Sequence, residues 1–163
     1  MTSLFTEGEK GVRTLNSKNN CSNDDLELLN QMYQNTAMGA SAINSIIGNI
    51  PSGTFKDQLV SQLSVYNKVE ADCEEQLYQR GAKPKEQNPV SKAMANAGIR
   101  IKSAKKPSEE HVSEMMINGS TMGVISLQRA LNNHPAADQR IRKQAGELLA
   151  FERDNIDHMK PFL

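Results

Sequence analysis

Tryptophan is absent from this 163-residue chain, and four phenylalanines and three tyrosines are its only aromatic rings. The core must therefore be built from aliphatic side chains, alanine and the eight methionines. Two cysteines, Cys21 and Cys73, are too few for a disulfide framework and read as reduced thiols. No run approaches the roughly 18 apolar residues of a membrane-spanning helix. The opening MTSLFTEGEKGVRTLNSKNN carries charges where a secretory signal needs its apolar stretch, so a cytoplasmic protein is expected. An excess of either charge is missing too, because nineteen basic residues face nineteen acidic ones. That balance argues against nucleic-acid binding through a global field. There is no Gly-rich phosphate loop, CxxC or HExxH, and no Ser/His/Asp set can be assembled, so no catalytic residue is assigned.

What is present is helical periodicity. Residues 1–22 are polar and aperiodic and read as a tail; residues 23–163 read as an all-α bundle. Ser22 ahead of Asp24 and Asp25 opens the first helix like a capping box. Its stripe runs Leu28, Met32, Asn35, Gly39, Ala42, Ile46, and Gly48, Asn49 and Pro51 end it. A second stripe is Leu59, Leu63, Tyr66, Glu70, Cys73, Leu77, stopped by Gly81. Thr54 to Arg80 corresponds to roughly 40 Å of helix at about 1.5 Å per residue. Asn88-Pro89 opens a shorter helix. Ser108 caps another, whose apolar face is assigned to Val112, Met115, Met116, Met122, Ile125 and Leu131. Pro135 is expected to begin the last, with the stripe Ile141, Ala145, Leu148, Glu152, Asn155, Met159, Phe162. The spacing predicts helices over about 23–48, 54–80, 89–104, 108–132 and 135–160.

The segment from Thr36 to Ile43 resembles the one from Ser120 to Leu127, 84 residues on, and the second and last stripes match 82 residues apart. Chance similarity of amphipathic helices is one explanation, and a duplicated αα-hairpin is the other. Two antiparallel hairpins related this way need a connection as long as the bundle, which 82–107 supplies. A long crossover between the second and third bundle helices is the ferritin-like arrangement. Gly39 and Gly123, at matching stripe positions, are expected where the first and third long helices approach closely.

A di-iron or di-manganese centre in such a bundle needs a Glu from each of two helices and Glu-x-x-His from each of the others. The stripes offer Glu70-Ala71-Asp72-Cys73 and Glu152-Arg153-Asp154-Asn155, with Cys and Asn where histidines would stand. No carboxylate projects from Asn35, Gly39, Gly119 or Gly123. Glu70 and Glu152 are thus the metal-ligand candidates of an absent or degenerate site, with no cofactor expected. Stripe drift toward a solvated edge, or pairing with Lys or Arg, is the plainer account of both. The alternative is a metal-binding redox or storage protein holding iron or manganese. His111 and Glu114, Asp154 and His158, and His134 beside Pro135 read as solvated or structural, and Cys73 as a small buried hydrophobe.

Lys83, Lys85, Lys92, Arg100, Lys102, Lys105 and Lys106 face Glu86 alone in the crossover. A solvated face is one reading; an adaptor docking an acidic partner through 83–106, at Lys92, Arg100 and Lys102, is another. The segment has no ring for base stacking. Met32, Met38, Met115, Met116 and Met122 read as core filler or as an interface. The scarcity of aromatics favours extra burial in a homodimer.

The block Ser113-Glu114-Met115-Met116-Ile117-Asn118-Gly119-Ser120-Thr121-Met122-Gly123 is the most distinctive stretch. With Lys83-Pro84-Lys85, Asn88-Pro89, Lys92-Ala93-Met94, Phe151-Glu152-Arg153-Asp154-Asn155-Ile156 and the closing Lys160-Pro161-Phe162-Leu163, it resembles an uncharacterised bacterial family of ferritin-like four-helix bundles. The resemblance covers about 24–163 and implies fold and cytoplasmic location; it assigns no site residue. The resulting expectation is a non-catalytic ferritin-like bundle that self-associates or binds a partner.

Overall fold

A computed structural model describes residues 22–85 and 107–163. The described residues form four long helices: α1 (Asn23–Ile46), α2 (Thr54–Gln79), α3 (Glu109–Asn133) and α4 (Gln139–Met159). Short 3-10 turns follow α1 at Ile47–Asn49 and α4 at Lys160–Phe162. The tail before Ser22, the helix predicted over 89–104 and the basic residues Lys92, Arg100 and Lys102 lie outside the described residues.

Local chemistry fixes the helix ends. Ser22 Oγ accepts from the Asp24 amide at 3.1 Å, and Asp24 and Asp25 sit in the first turn where the helix dipole favours them. α2 closes in a Schellman motif: the Ala82 amide donates to Leu77 O at 3.0 Å and the Gly81 amide to Tyr78 O at 2.9 Å. That closure puts Gly81 at φ 73°, a region side chains with a Cβ avoid. α4 does not begin at Pro135. Asp138 is its cap, accepting from the Arg140 amide at 2.8 Å, while Pro135 and Ala136 form the preceding turn. A carboxylate that satisfies an orphan amide outweighs a proline that merely tolerates the first turn.

Two apolar clusters order the bundle. Leu28, Leu29 and Met32 from the start of α1 pack with Cys73 and Leu77 from the end of α2, Leu127 and Ala130 from the end of α3, and Ile141 and Ala145 from the start of α4. At the other end Ile43 and Ile46 meet Phe55, Leu59, Val112, Met116 and Met159. Hence α1 and α4 run one way and α2 and α3 the other, an up-down-down-up order. α2 ends at one pole and α3 starts at the opposite pole. The chain from Lys85 to Pro107 thus joins opposite ends, most of it outside the described residues. Its first residues lie beside α1: the Lys85 amide donates to Asn30 Oδ1 at 2.7 Å and its ammonium pairs with Glu27.

The hairpins are also clamped at one pole. Asp25 Oδ1 accepts from the Asp138 amide at 2.7 Å, and Asp24 accepts from the Ala136 amide at 3.0 Å and faces His134 Nδ1 at 3.3 Å. The start of α1 therefore receives the whole α3–α4 turn.

Burial matches at five positions across the 84-residue offset. Leu28, Met32, Thr36, Ile43 and Ile46 in α1 are buried, and so are Val112, Met116, Ser120, Leu127 and Ala130, each 84 residues on. The second half of α3 departs from the expected face. Met122 and Ile125 are 40% and 52% exposed, whereas Ser120 and Gly123 turn inward. Hydrophobicity alone selects the methionine and isoleucine, but the buried layer at that height is polar.

Candidate functional site

Between the two apolar clusters lies a polar layer. Tyr66 from α2 donates its hydroxyl to Glu152 Oε2 of α4 at 3.0 Å, and Asn155 Nδ2, one turn further along α4, donates to the Tyr66 hydroxyl at 3.2 Å. Ser120 of α3 also hydrogen-bonds Glu152. Glu152 is only 1% exposed. The expectation of a solvated edge or a Lys or Arg partner therefore fails for this residue. Its stripe does not drift, and neutral donors take the place of a cation.

Burial pushes the Glu152 carboxyl up to about 6, against the pull of its three donors Ser120, Tyr66 and Asn155. Burial, and then the Glu152 charge beside it, holds the Tyr66 phenol protonated far above its usual range. Tyr66 is thus a fixed donor at every ordinary pH.

Two glycines make room for this layer. A Cβ on Gly39 of α1 would lie 2.6 Å from Tyr66 Cε2, so the ring occupies the space a side chain would need. A Cβ on Gly123 would meet Asn35 Nδ2 at 2.9 Å and Glu152 Cδ at 3.3 Å. The expected backbone approach of α1 to α3 is not what these glycines serve: Gly39 faces the Tyr66 ring of α2, and Gly123 the side chains of Asn35 and Glu152. Tyr66 is the site residue that sequence reasoning alone leaves without a role. A tyrosine one turn before Glu70 on an aliphatic stripe, with a glycine on the facing helix, is the signal that could have found it.

A cavity of about 40 Å³, partly open to solvent, lies against this layer. Asn35, Tyr66, Ser120 and Glu152 are its polar lining, and Met38, Ala42, Met115 and Met116 its apolar lining. Asn35 is 5% exposed and its Nδ2 has no hydrogen-bond partner among the described residues.

Glu70 occupies the matching register on α2 but a different setting. It is half-buried, and burial, then the neighbouring Glu74, raises its carboxyl. Its field also raises the Tyr33 phenol, after burial. The two candidate glutamates share no hydrogen-bond partner among the described residues. Among the described residues no group of three or more His, Cys, Asp or Glu side chains gathers. The central donor set is one carboxylate, a phenol, two amides and a hydroxyl. It does not fit a bridged dinuclear centre, which needs several anionic or imidazole ligands.

The remaining residues stand apart. His111 and Glu114 are exposed on α3, 4.0 Å apart, and His134 caps the end of α3 beside Asp24. Cys73 is buried, and burial, then Asp72 and Glu70, pushes its thiol up to about 12. In a Cys21→Ser variant, native protein is expected to resist a soluble disulfide reagent for as long as it stays folded and to react fully in urea. Rapid labelling under native conditions would contradict this.

No helix among the described residues is long and apolar enough to cross a membrane. No protein-family model, curated protein or solved structure matches the chain.

Proposed function

We propose that the chain is a ferritin-like bundle that works by binding rather than by catalysis, its metal centre replaced by a hydrogen-bonded single-carboxylate core. The observation that carries this reading is Glu152, buried at the bundle centre with Tyr66 in place of a metal or a second carboxylate. The up-down-down-up order supports the ferritin-like assignment and the resemblance drawn from the 113–123 block. A cytoplasmic setting belongs to the same proposal. So does self-association, for which Met122 and Ile125, exposed about one turn apart on α3, offer apolar surface. Polar groups bonded to one another are poor metal ligands, because Tyr66 and Ser120 already occupy lone pairs of Glu152.

Elemental analysis of freshly purified protein tests the reading. Less than stoichiometric iron, manganese and zinc is expected, with no change in a Glu70→Ala/Glu152→Ala variant. Stoichiometric metal that disappears in that variant would overturn the proposal in favour of the redox or storage alternative.

A further inference from the structure

Two groups in the cavity between α1 and α3 are left incomplete by the described residues. Glu152 is buried and hydrogen-bonded, but among the described residues all its donors are neutral; Tyr66, Ser120 and Asn155 solvate the charge without balancing it. Asn35, also buried, leaves Nδ2 unused; an unused donor calls for an acceptor, so Asn35 counts toward a cation only with its amide turned over, oxygen in place of nitrogen. The rest of the lining is of another chemistry: Met38, Ala42, Met115 and Met116 present thioethers and methyl groups. The site thus asks for a compact cation joined to a short apolar body.

Size and donor count narrow the class. About 40 Å³ holds on the order of one to three water molecules, which suits an ammonium head and its first methylenes. A guanidinium needs a carboxylate edge open for a two-bonded fork, and Tyr66 and Ser120 already draw on Glu152. A bare alkali ion leaves the methionine wall unused. A primary ammonium has three N–H donors. Glu152 can take one, the Ser120 oxygen a second and the Asn35 amide oxygen a third, once that amide turns about its terminal bond. The tail then lies in the mouth against Met38 and Met115, whose flexible side chains adapt to it.

We propose that this cavity binds a protonated short-chain primary alkylamine, its ammonium against Glu152 and its alkyl chain against the methionines. The proposal rests on the metal-free reading of the bundle centre.

The test is a methionine-methyl NMR titration of the full chain with n-butylammonium chloride, n-butanol and sodium chloride at matched ionic strength. Butylammonium is expected to give saturable shifts at Met38, Met115 and Met116, butanol to bind about tenfold or more weakly, and sodium to give none. Glu152→Gln, which keeps shape and removes charge, should weaken butylammonium by about tenfold or more with unchanged circular dichroism. Met115→Trp, which narrows the mouth without touching Glu152, should weaken it as well and serves if the first variant misfolds. Equal binding of butanol and butylammonium, unchanged affinity in both variants, or no saturation up to roughly 100 mM would overturn the proposal. Elemental analysis of the same sample separates the two failures. Metal lost with Glu152 sinks the metal-free reading, whereas a metal-free protein that ignores butylammonium sinks the amine site alone.

Discussion

Gly39→Ala should destabilise the protein by about 3 kcal/mol, although helix propensity alone predicts a gain of about 1 kcal/mol. The added methyl carbon would sit 2.6 to 2.9 Å from three atoms of the Tyr66 ring. That ring is 2% exposed, in edge contact with Phe151 at 5.5 Å and anchored by its hydroxyl to Glu152. Overpacking a core costs about 1–3 kcal/mol. Turning the ring away also removes a donor from a buried carboxylate, at about 1–3 kcal/mol more. Urea denaturation checks the sum, and Gly146→Ala is the contrast. Gly146 lies within α4, and a Cβ there would meet nothing within 4 Å, so alanine should stabilise by about 1 kcal/mol. Equal signs for the two substitutions would refute the assignment of Gly39 as the seat of Tyr66. In the double variant Gly39→Ala/Tyr66→Leu the penalty of the first change should largely vanish, since leucine is what the matching register holds at Leu148.

Glu152→Gln should make the protein more stable at pH 7.5 by about 2 kcal/mol and change little at pH 4.5. The carboxyl titrates at about 6 when folded against an ordinary 4.5, so the folded state binds the proton more tightly. The resulting stability is complete below about 4.5 and is lost as pH rises through about 6. A shift of this size is worth about 2 kcal/mol at about 1.36 kcal/mol per unit. Glutamine still accepts from the Tyr66 and Ser120 hydroxyls but carries no charge to be desolvated. Glu70 is raised in the same direction, but its partial exposure screens the effect, and it is common to both proteins. The readout is the difference between wild type and variant across pH 4 to 8. Parallel curves would show that Glu152 does not titrate in this window. A charge that weakens the fold at neutral pH is an ordinary cost of a binding group and an unusual one for a purely structural position.

Much of the architecture is legible in the sequence because it rests on short-range rules. Ser22 and Ser108 mark helix starts through their own side chains, and Gly81 marks a stop through its left-handed backbone. The stripe of α4 holds through Met159 because its residues at steps of three and four are all buried. The length of the connection after α2 points to the crossover, since chain reach is set by covalent geometry. The face of α3 is not legible in its second half. Apolar residues are the natural choice there, yet at that height the layer is polar, and Ser120 and Gly123 are inward because Glu152 and Asn35 occupy the space. That dependence crosses from helix to helix, and no single stripe contains it. Glu152 can be found as a residue but not as an environment, because its burial depends on a tyrosine from the other hairpin. Glu70 shows the converse, with the same register and a half-exposed setting.

The up-down-down-up order also sets a sequence of events in assembly. Each hairpin closes over a loop of a few residues, whereas Tyr66 and Glu152 are separated by 86. Closing a loop roughly ten times longer adds about 2 kcal/mol of entropy, so the hairpins form before they dock. While the hairpins are apart Glu152 remains hydrated, and its carboxylate loses water in the same step that delivers the Tyr66 hydroxyl. Desolvation and its partial compensation are thereby tied to a single event, and the polar layer acts as a check on register when the two halves meet. A hairpin docked one turn out of place would bury the same charge opposite Leu63 or, in the other direction, Glu70.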